Sequence, residues 1–296
     1  MIDFINLYLI PALMLGSIYA LGAVGISMIF GILRFAHFAH GDVMSIGAYG
    51  VLTAVWLIPL HPLLLLPFGV GLAVVSALAV DHFFYKPLRK LPTIYTVISS
   101  FGVALIFRSL MQLFWSADNQ VYIEGVTRPV VLFDTFRISI LHAEAIVLTL
   151  IIAVCLHLFL TRSRTGRSMR AMSDEAELAA VAGLDTEKII RSTWIIGASL
   201  AAIAGVFAGM DTDIHPNLGW NLLLPMFAAA ILGGIGKPMG AMVGGVIIGL
   251  AEEISTYNWI GDDSLISPSY KSAVGFVIMV VLLIFRPQGL FRGRLL

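Results

Sequence analysis

The sequence predicts an all-α membrane protein, a polytopic helical bundle of about eight or nine spans. Two observations carry this prediction. Hydrophobic residues make up 59% of the chain and charged residues only 12%, about half the charged fraction of a soluble globular domain. The apolar residues also fall into long runs, and a membrane-spanning helix needs roughly 17–25 mostly apolar residues. The bilayer is therefore the natural solvent for this chain.

Apolar runs place the predicted spans along the chain. The run at 222–251 is interrupted by LGGIGKPMGAMVGG, whose glycines and Pro238 break helices. Broken backbone at membrane depth must be shielded by protein or line a water-filled cavity. We therefore expect this run to be one broken span or two short ones. The predicted spans are 8–30, 43–58, 63–85, 94–115, 143–160, 192–210, 222–251 and 271–286.

Lysine and arginine cluster in three segments, at 86–90, 161–191 and 286–294, and this predicts the orientation. Positively charged segments stay on the cytoplasmic side, so an even number of spans should separate each pair of segments. That requirement favours two helices in the run at 222–251. The side of the N-terminus stays open. The predicted external segments are 115–142, 211–221 and 257–270.

The segment 161–191 concentrates charge, with four arginines followed mostly by acids. Asp174 and Glu177 have the spacing of a capping box, which predicts a helix that begins near Glu175. Gly183 fits the left-handed residue that ends such a helix. One interpretation is a positive loop that only obeys the topology rule. Topology requires neither a capped helix nor a glycine stop, so we favour a cytoplasmic helix that docks onto a cytosolic partner.

Arg108 is the first candidate for a translocation path because it lies in an otherwise apolar span. A charge inside the membrane is a functional candidate by default, although Arg108 can also snorkel or pair with another buried group. Tyr19 offers a hydrogen-bonding group that either lines a path or bridges helices. The remaining path candidates are Ser99, Ser100, Gly233, Gly234 and Gly236.

The sequence does not indicate an enzyme, a metal site or a cofactor site. The ATP-binding motif G-x-x-x-x-G-K-[ST] is absent, since LGGIGKP has Ile231 and Pro238 at the required glycine and hydroxyl positions. His37 and His40 are three residues apart, but two imidazoles alone make a poor metal site. We expect both histidines in an interfacial turn. The net charge of zero gives no indication of nucleic-acid binding.

Four segments occur in order along nearly the whole chain and carry a family resemblance. They are GSIYALGAVGISMIFGILRFAHFAHGDVMSIGAY, TGRSMRAMSDEAELAAVAGLD, AAAILGGIGKPMGAMVGGVIIGLAEE and RPQGLFRGR. Together they resemble the permease subunits of the high-affinity branched-chain amino acid (LIV-type) ABC importers. One departure is His37, where the family often has asparagine.

The resemblance implies a single permease domain over 1–296, with the fold of type II ABC importers and a cytosolic coupling loop at 161–191. It implies a bacterial inner-membrane location among membrane lipids, a second homologous permease, two cytosolic ATPases and an external solute-binding protein. Relatives carry amino acids, urea, short amides or aromatic acids, so the substrate stays open, and an ion-coupled secondary transporter is the alternative from another class. The candidate ATPase-coupling residues are Gly166, Arg167, Arg170, Ala171, Asp174, Glu177, Ala179 and Gly183.

Overall fold

Helices run through most of the chain in this computed structural model. It describes residues 4–123, 125, 130–132, 136–258, 266–267, 270–286, 288–291 and 293. The α-helices are α1 (Ile10–Leu33), α2 (His40–Leu57), α3 (Leu66–Val80), α4 (Lys86–Leu88), α5 (Thr93–Trp115), α6 (Ile140–Arg162), α7 (Arg164–Asp174), α8 (Ala176–Val181), α9 (Thr186–Asp211), α10 (Leu218–Gly233), α11 (Pro238–Ile254) and α12 (Lys271–Phe285). The strands β1 (Val130–Leu132) and β2 (Phe136–Ile138) pair in an antiparallel hairpin.

The predicted multi-pass helical bundle is confirmed. Among the described residues, nine helical segments lie at the predicted span positions. Five are long apolar runs, and the other four are the shorter helices α2, α10, α11 and α12. The run at 222–251 is divided into two helices, as the orientation rule requires. The helical runs long and apolar enough to cross a membrane are Ile5–Leu33, Pro62–Leu88, Thr93–Trp115, Ile140–Arg162 and Thr186–Asp211.

Helix α1 lies at the centre and packs against α9, α10 and α11. Its closest neighbour is α11, and small residues line the seam between them. A methyl group on Gly249 would collide with the backbone of Gly16, and one on Gly245 would collide with the backbone of Ala20. Such small residues let helices approach closely where lipid removes the hydrophobic force between them.

Helices α3, α5 and α6 lie at the periphery and leave apolar side chains uncovered. Ile98, Leu105 and Leu113 of α5 are more than half exposed, as are Val147 and Leu150 of α6. A water-soluble protein rarely exposes such continuous apolar surface. These faces are suited to lipid tails or to another membrane subunit.

Contacts between loops bring the three basic segments to one face, as predicted. Lys86 and Arg89 form ion pairs with Glu187 at 3.0 and 2.9 Å. The N–H of Leu290 donates to the carbonyl of Leu232 at 2.8 Å, which brings the last basic segment to the α10–α11 turn. By the positive-inside rule we predict that this face is the cytoplasmic one, and it is called the cytoplasmic face below.

The same rule predicts the side of the N-terminus. Arg34, directly after α1, donates to the carbonyl of Ser173 at 3.3 Å, so α1 ends at the cytoplasmic face and begins at the external one. The backbone pairing of Gln120 with Ile214 joins two of the predicted external segments on the opposite face. Most of the third, 259–265 with 268–269, lies outside the described residues.

The helix break between α1 and α2, at residues 34–39, begins at the face that carries Arg34. The chain turns back into the bundle there, and the ring of His40 sits against Gly25, which is eight residues or roughly 12 Å of helix from the end of α1. His37 and His40 are 2% and 1% exposed. Both rings are therefore enclosed by protein, and the glycine at position 25 leaves room for the His40 imidazole inside the bundle.

Candidate functional site

The charged segment folds as two helices, not as a loop followed by one helix. Ser163 caps α7, since its Oγ accepts a hydrogen bond from the N–H of Gly166 at 2.8 Å. Gly166, Met169 and Met172 recur every three residues and are buried, so they hold one face of α7 against the bundle. The predicted capping box is wrong, because this amphipathic pattern makes Asp174 the last residue of α7.

Helix α8 follows after Glu175, which has an extended backbone and makes no side-chain capping bond. The predicted glycine stop is confirmed. Gly183 has φ +81°, its N–H donates to the carbonyl of Ala180 at 3.0 Å, and the N–H of Leu184 donates to the carbonyl of Ala179 at 3.1 Å. These two bonds form a Schellman motif, which only a residue tolerant of positive φ completes without strain.

The start of α9 is fastened to the end of the α3–α4 segment. Asp185 caps α9 by accepting from the N–H of Lys188 at 3.0 Å. Two residues after that cap, the carboxylate of Glu187 binds both Lys86 and Arg89. Helix α8 therefore leads directly into a junction that joins the start of α9 to the end of the α3–α4 segment.

The candidate coupling residues differ in exposure. Gly166 and Ala179 are buried, and a methyl group on Gly166 would collide with the backbone at the end of α6. On the outer side of α8, Leu178 and Val181 are 67% and 86% exposed. Arginines beside uncovered apolar side chains have the composition of a protein-docking surface. The exposed candidates are Arg167, Arg170, Ala171, Asp174, Glu177 and Gly183.

Arg108 of α5 pairs with Asp42 of α2 inside the bundle. Its Nε and Nη2 atoms lie 3.2–3.4 Å from the carboxylate oxygens, and the guanidinium carbon lies 4.7 Å from the ring centre of Trp220. The Asp42 side chain is fully buried and that of Arg108 is 16% exposed. Asp42 escaped prediction, although a buried arginine calls for a counter-ion and Asp42 borders the predicted span at 43–58.

The hydroxyl candidates are engaged within the bundle. Tyr19 donates to Oε2 of Glu252 at 2.8 Å, and both residues are buried. Ser100 is fully buried, donates to the carbonyl of Val97 at 2.7 Å and accepts from the N–H of Phe38 at 3.3 Å. The first contact bridges α1 and α11, and the second ties α5 to the turn before α2. The remaining hydroxyl candidate, Ser99, is partly exposed.

The glycine candidates lie at the cytoplasmic end of α10 and α11, away from Tyr19 and Arg108. Gly234 and Gly236 have φ +102° and +82°, so they form the reversal between the two helices. The N–H of Gly236 donates to Oγ of Ser27 on α1 at 3.1 Å. A methyl group on Gly233 would collide with the backbone of Gly240. The path candidates therefore occupy separate places and do not line one described cavity.

A buried aromatic cluster joins the helix break to α3 and α9. Nε2 of His37 lies 3.0 Å from the Tyr85 hydroxyl, and the Trp194 ring of α9 is 5.0 Å from His37 and stacks on Tyr85 at 5.5 Å. Tyr85 lies four residues before Arg89, which also binds the carboxylate of Asp81 at 2.5 Å. Contiguous contacts thus connect the cytoplasmic ion pairs with the broken segment.

Comparison with known proteins identifies the family. A family profile described as "Branched-chain amino acid transport system / permease component" matches residues 8–283. The chain belongs to this family. It is 33% identical to the high-affinity branched-chain amino acid transport system permease protein BraD of Pseudomonas aeruginosa, over 97% of this chain and 95% of BraD. It is 31% identical to LivH of Escherichia coli K12, a permease protein of the same description, over 95% of this chain and 92% of LivH.

A solved structure shares the fold of this permease family member. The similar chain comes from the structure titled "PsaBC from Streptococcus pneumoniae in complex with Fab", with a TM-score of 0.54 and 12% identity. The similarity covers 97% of this chain and 95% of that one. The protein is a multi-pass inner-membrane permease component.

Proposed function

We propose that the protein is the permease subunit of an ABC importer that moves branched-chain or other amino acids into the cytoplasm. The observation that carries this proposal is the exposed α7–α8 surface. The chain belongs to the permease family, and its sequence has no ATP-binding motif of its own. Energy must then enter from a partner. The surface offers arginines for charge complementarity and Leu178 and Val181 for burial, which suits a docked cytosolic ATPase.

The proposed assembly contains this chain, a second homologous permease, two cytosolic ATPases and an external solute-binding protein, surrounded by lipid. The chain binds no nucleic acid in this assembly and has no catalytic role of its own. The uncovered apolar faces of α5 and α6 provide area for lipid or for the second permease. The external loops around Gln120 and Ile214 lie where a binding protein delivers its cargo.

ATP-driven movement passes, in this proposal, from α8 into α9 and α3. The ion pairs of Glu187 with Lys86 and Arg89 carry displacement to the end of α3–α4. The contacts among Tyr85, Trp194 and His37 continue to the break between α1 and α2. Such a chain of contacts drives alternating access only if the ATPase binds the inward and outward states with different affinity.

We place the translocation path along the face formed by α5 and α10. Arg108 is partly exposed there beside Trp220, and Phe101 and Asn221 are exposed on the same two helices. A polar face at membrane depth must be covered by protein or water, since lipid tails leave its polar groups without partners. Tyr19 and Ser100, by their internal contacts, serve to bridge helices behind this face.

Reconstitution tests the proposed function. The chain is assembled with its cognate partners in liposomes, and ATP-driven uptake of radiolabelled leucine is compared with uptake in a complex whose ATPase is inactive. We expect leucine uptake that requires ATP and the binding protein. Uptake of urea, a short amide or an aromatic acid in place of leucine would keep the permease function and change its substrate. Uptake by this chain alone, driven by an ion gradient, would overturn the proposed function.

A further inference from the structure

A cavity of about 230 Å³ lies beneath α7 at the cytoplasmic end of the bundle. Its walls come from α1, α6, α7 and the turn between α10 and α11. Most of the wall surface is apolar, and three of its residues are methionines. Unbranched methionine side chains adapt to ligands of different shape. The apolar wall residues are Met28, Ile32, Leu160, Met169, Pro238 and Met239.

Three charged side chains also line this cavity: Arg170 and Asp174 of α7, and Lys237 at the α10–α11 turn. None of the three forms an ion pair with any residue that the structure describes. Helix ends add partial charges of matching sign. Helix α11 begins at Pro238, next to Lys237, and α7 ends at Asp174, so the first end is positive and the second negative. The cavity therefore has both a positive and a negative pole.

We propose that this cavity is a cytoplasmic-side binding site for a zwitterionic amino acid with an apolar side chain. The carboxylate binds Lys237 and Arg170, the ammonium binds Asp174, and the side chain lies against Met28, Met169 and their apolar neighbours. The inference rests on the proposed function for its substrate class. An anionic phospholipid fits less well, because Asp174 would face its phosphate.

The location of the cavity links this site to coupling. Arg170 and Asp174 belong to the helix whose outer side forms the proposed ATPase-docking surface. A bound amino acid joins that helix to α1 and to the α10–α11 turn. Cargo that has reached the cytoplasmic side is thereby in contact with the element that receives the ATPase.

Equilibrium binding of radiolabelled L-leucine tests the site. The assembled complex is used in nanodiscs without its external binding protein, so that this protein does not mask weaker sites. Leucinamide lacks the carboxylate and 4-methyl-2-oxopentanoate lacks the ammonium, and we expect each to compete at least about tenfold more weakly than leucine, since each loses a charge-assisted contact. Phosphatidylglycerol in the nanodisc provides the lipid arm of the test.

Two variants assign the binding to this cavity. Lys237→Gln removes one carboxylate partner and is expected to weaken leucine binding about tenfold. Met239→Trp narrows the cavity without changing charge and should weaken binding as well. Lys90→Gln is the matched control, because Lys90 is an exposed lysine of the same face outside the cavity, and its affinity should equal that of the wild type.

Unchanged leucine affinity in both cavity variants would overturn the site, as would displacement of leucine by phosphatidylglycerol. Equal competition by leucine and leucinamide would also overturn it. A wild-type complex that imports leucine with its binding protein, yet binds none without it, refutes this site and leaves the proposed function intact. A complex that shows no ATP-driven import of leucine or of any other amino acid refutes the proposed function instead.

Discussion

Arg108 and Asp42 form an ion pair inside the helical bundle, with Nη2 3.2 Å from Oδ1, and they differ in access to the surface. The aspartate side chain has no exposed area, whereas the arginine side chain is 16% exposed and also lies against Trp220. The pair fastens α5, a peripheral helix, to α2 beside the helix break. Because the aspartate is fully buried and the arginine is partly exposed, an unpaired aspartate should cost more free energy of unfolding than an unpaired arginine.

We predict that Arg108→Met destabilises the protein more than Asp42→Asn. The first change leaves a fully buried carboxylate without its counter-ion, a loss of about 3–5 kcal/mol in free energy of unfolding. The second leaves an arginine that reaches the surface and the Trp220 ring, so its loss is smaller. Thermal unfolding in detergent of both single variants and the double variant gives the coupling energy. Additive effects would show that the pair contributes no interaction.

Features governed by local pattern could be predicted from the sequence. The positions of the spans follow from apolar runs, and the division of the run at 222–251 follows from its glycines and from charge placement. The stop at Gly183 depends only on its own φ and on bonds within five residues. The spacing of Asp174 and Glu177 predicted a helix start near Glu175, and α8 begins at Ala176. The predicted cap was wrong, because Asp174 ends α7 and Glu175 is the N-cap residue.

Features that depend on distant partners could not be predicted. Asp42 meets Arg108 across 66 residues of sequence, and Tyr19 meets Glu252 across 233. Nothing in the neighbourhood of His37 shows that its ring lies against Trp194 of α9. The same limit applies to the cavity under α7, because its walls come from three separate parts of the chain, 27–32, 157–174 and 236–239. The sequence showed the charged residues of 161–191, but it did not show that Arg170 and Asp174 line one cavity with Lys237.

Tyr19→Phe tests the buried bond between α1 and α11. The substitution removes the described hydrogen-bond donor to Glu252, whose other oxygen is already without a partner among the described residues, and we expect a loss of about 1–3 kcal/mol in stability. Tyr49→Phe is the matched control. The Tyr49 hydroxyl is buried without a described partner, so its removal should leave the melting temperature unchanged or raise it. Equal losses in the two variants would contradict the importance of the bond.

Gly249→Ala tests the seam between α1 and α11. The added methyl group collides with the backbone of Gly16, and overpacking of this kind destabilises by about 1–3 kcal/mol. Gly71→Ala is the control within another membrane helix, where a methyl group meets no atom within 4 Å. Alanine favours helix there, so stability should hold or rise. Size-exclusion profiles and melting temperatures distinguish the two, and a well-folded Gly249→Ala protein would refute the close approach.

Reversing two charges on α7 tests the docking surface. The double variant Arg164→Glu, Arg167→Glu places acids on an exposed helix face that we propose contacts the ATPase, at two arginines that do not line the cavity. Exposed charges contribute little to stability, so the protein should fold normally. ATP hydrolysis should continue, while leucine transported per ATP falls by about 5- to 150-fold, the range of typical coupling energies. Lys90→Glu reverses one charge on the same face away from α7 and should leave the ratio unchanged. Normal uptake in the double variant would show that the ATPase does not act through this surface.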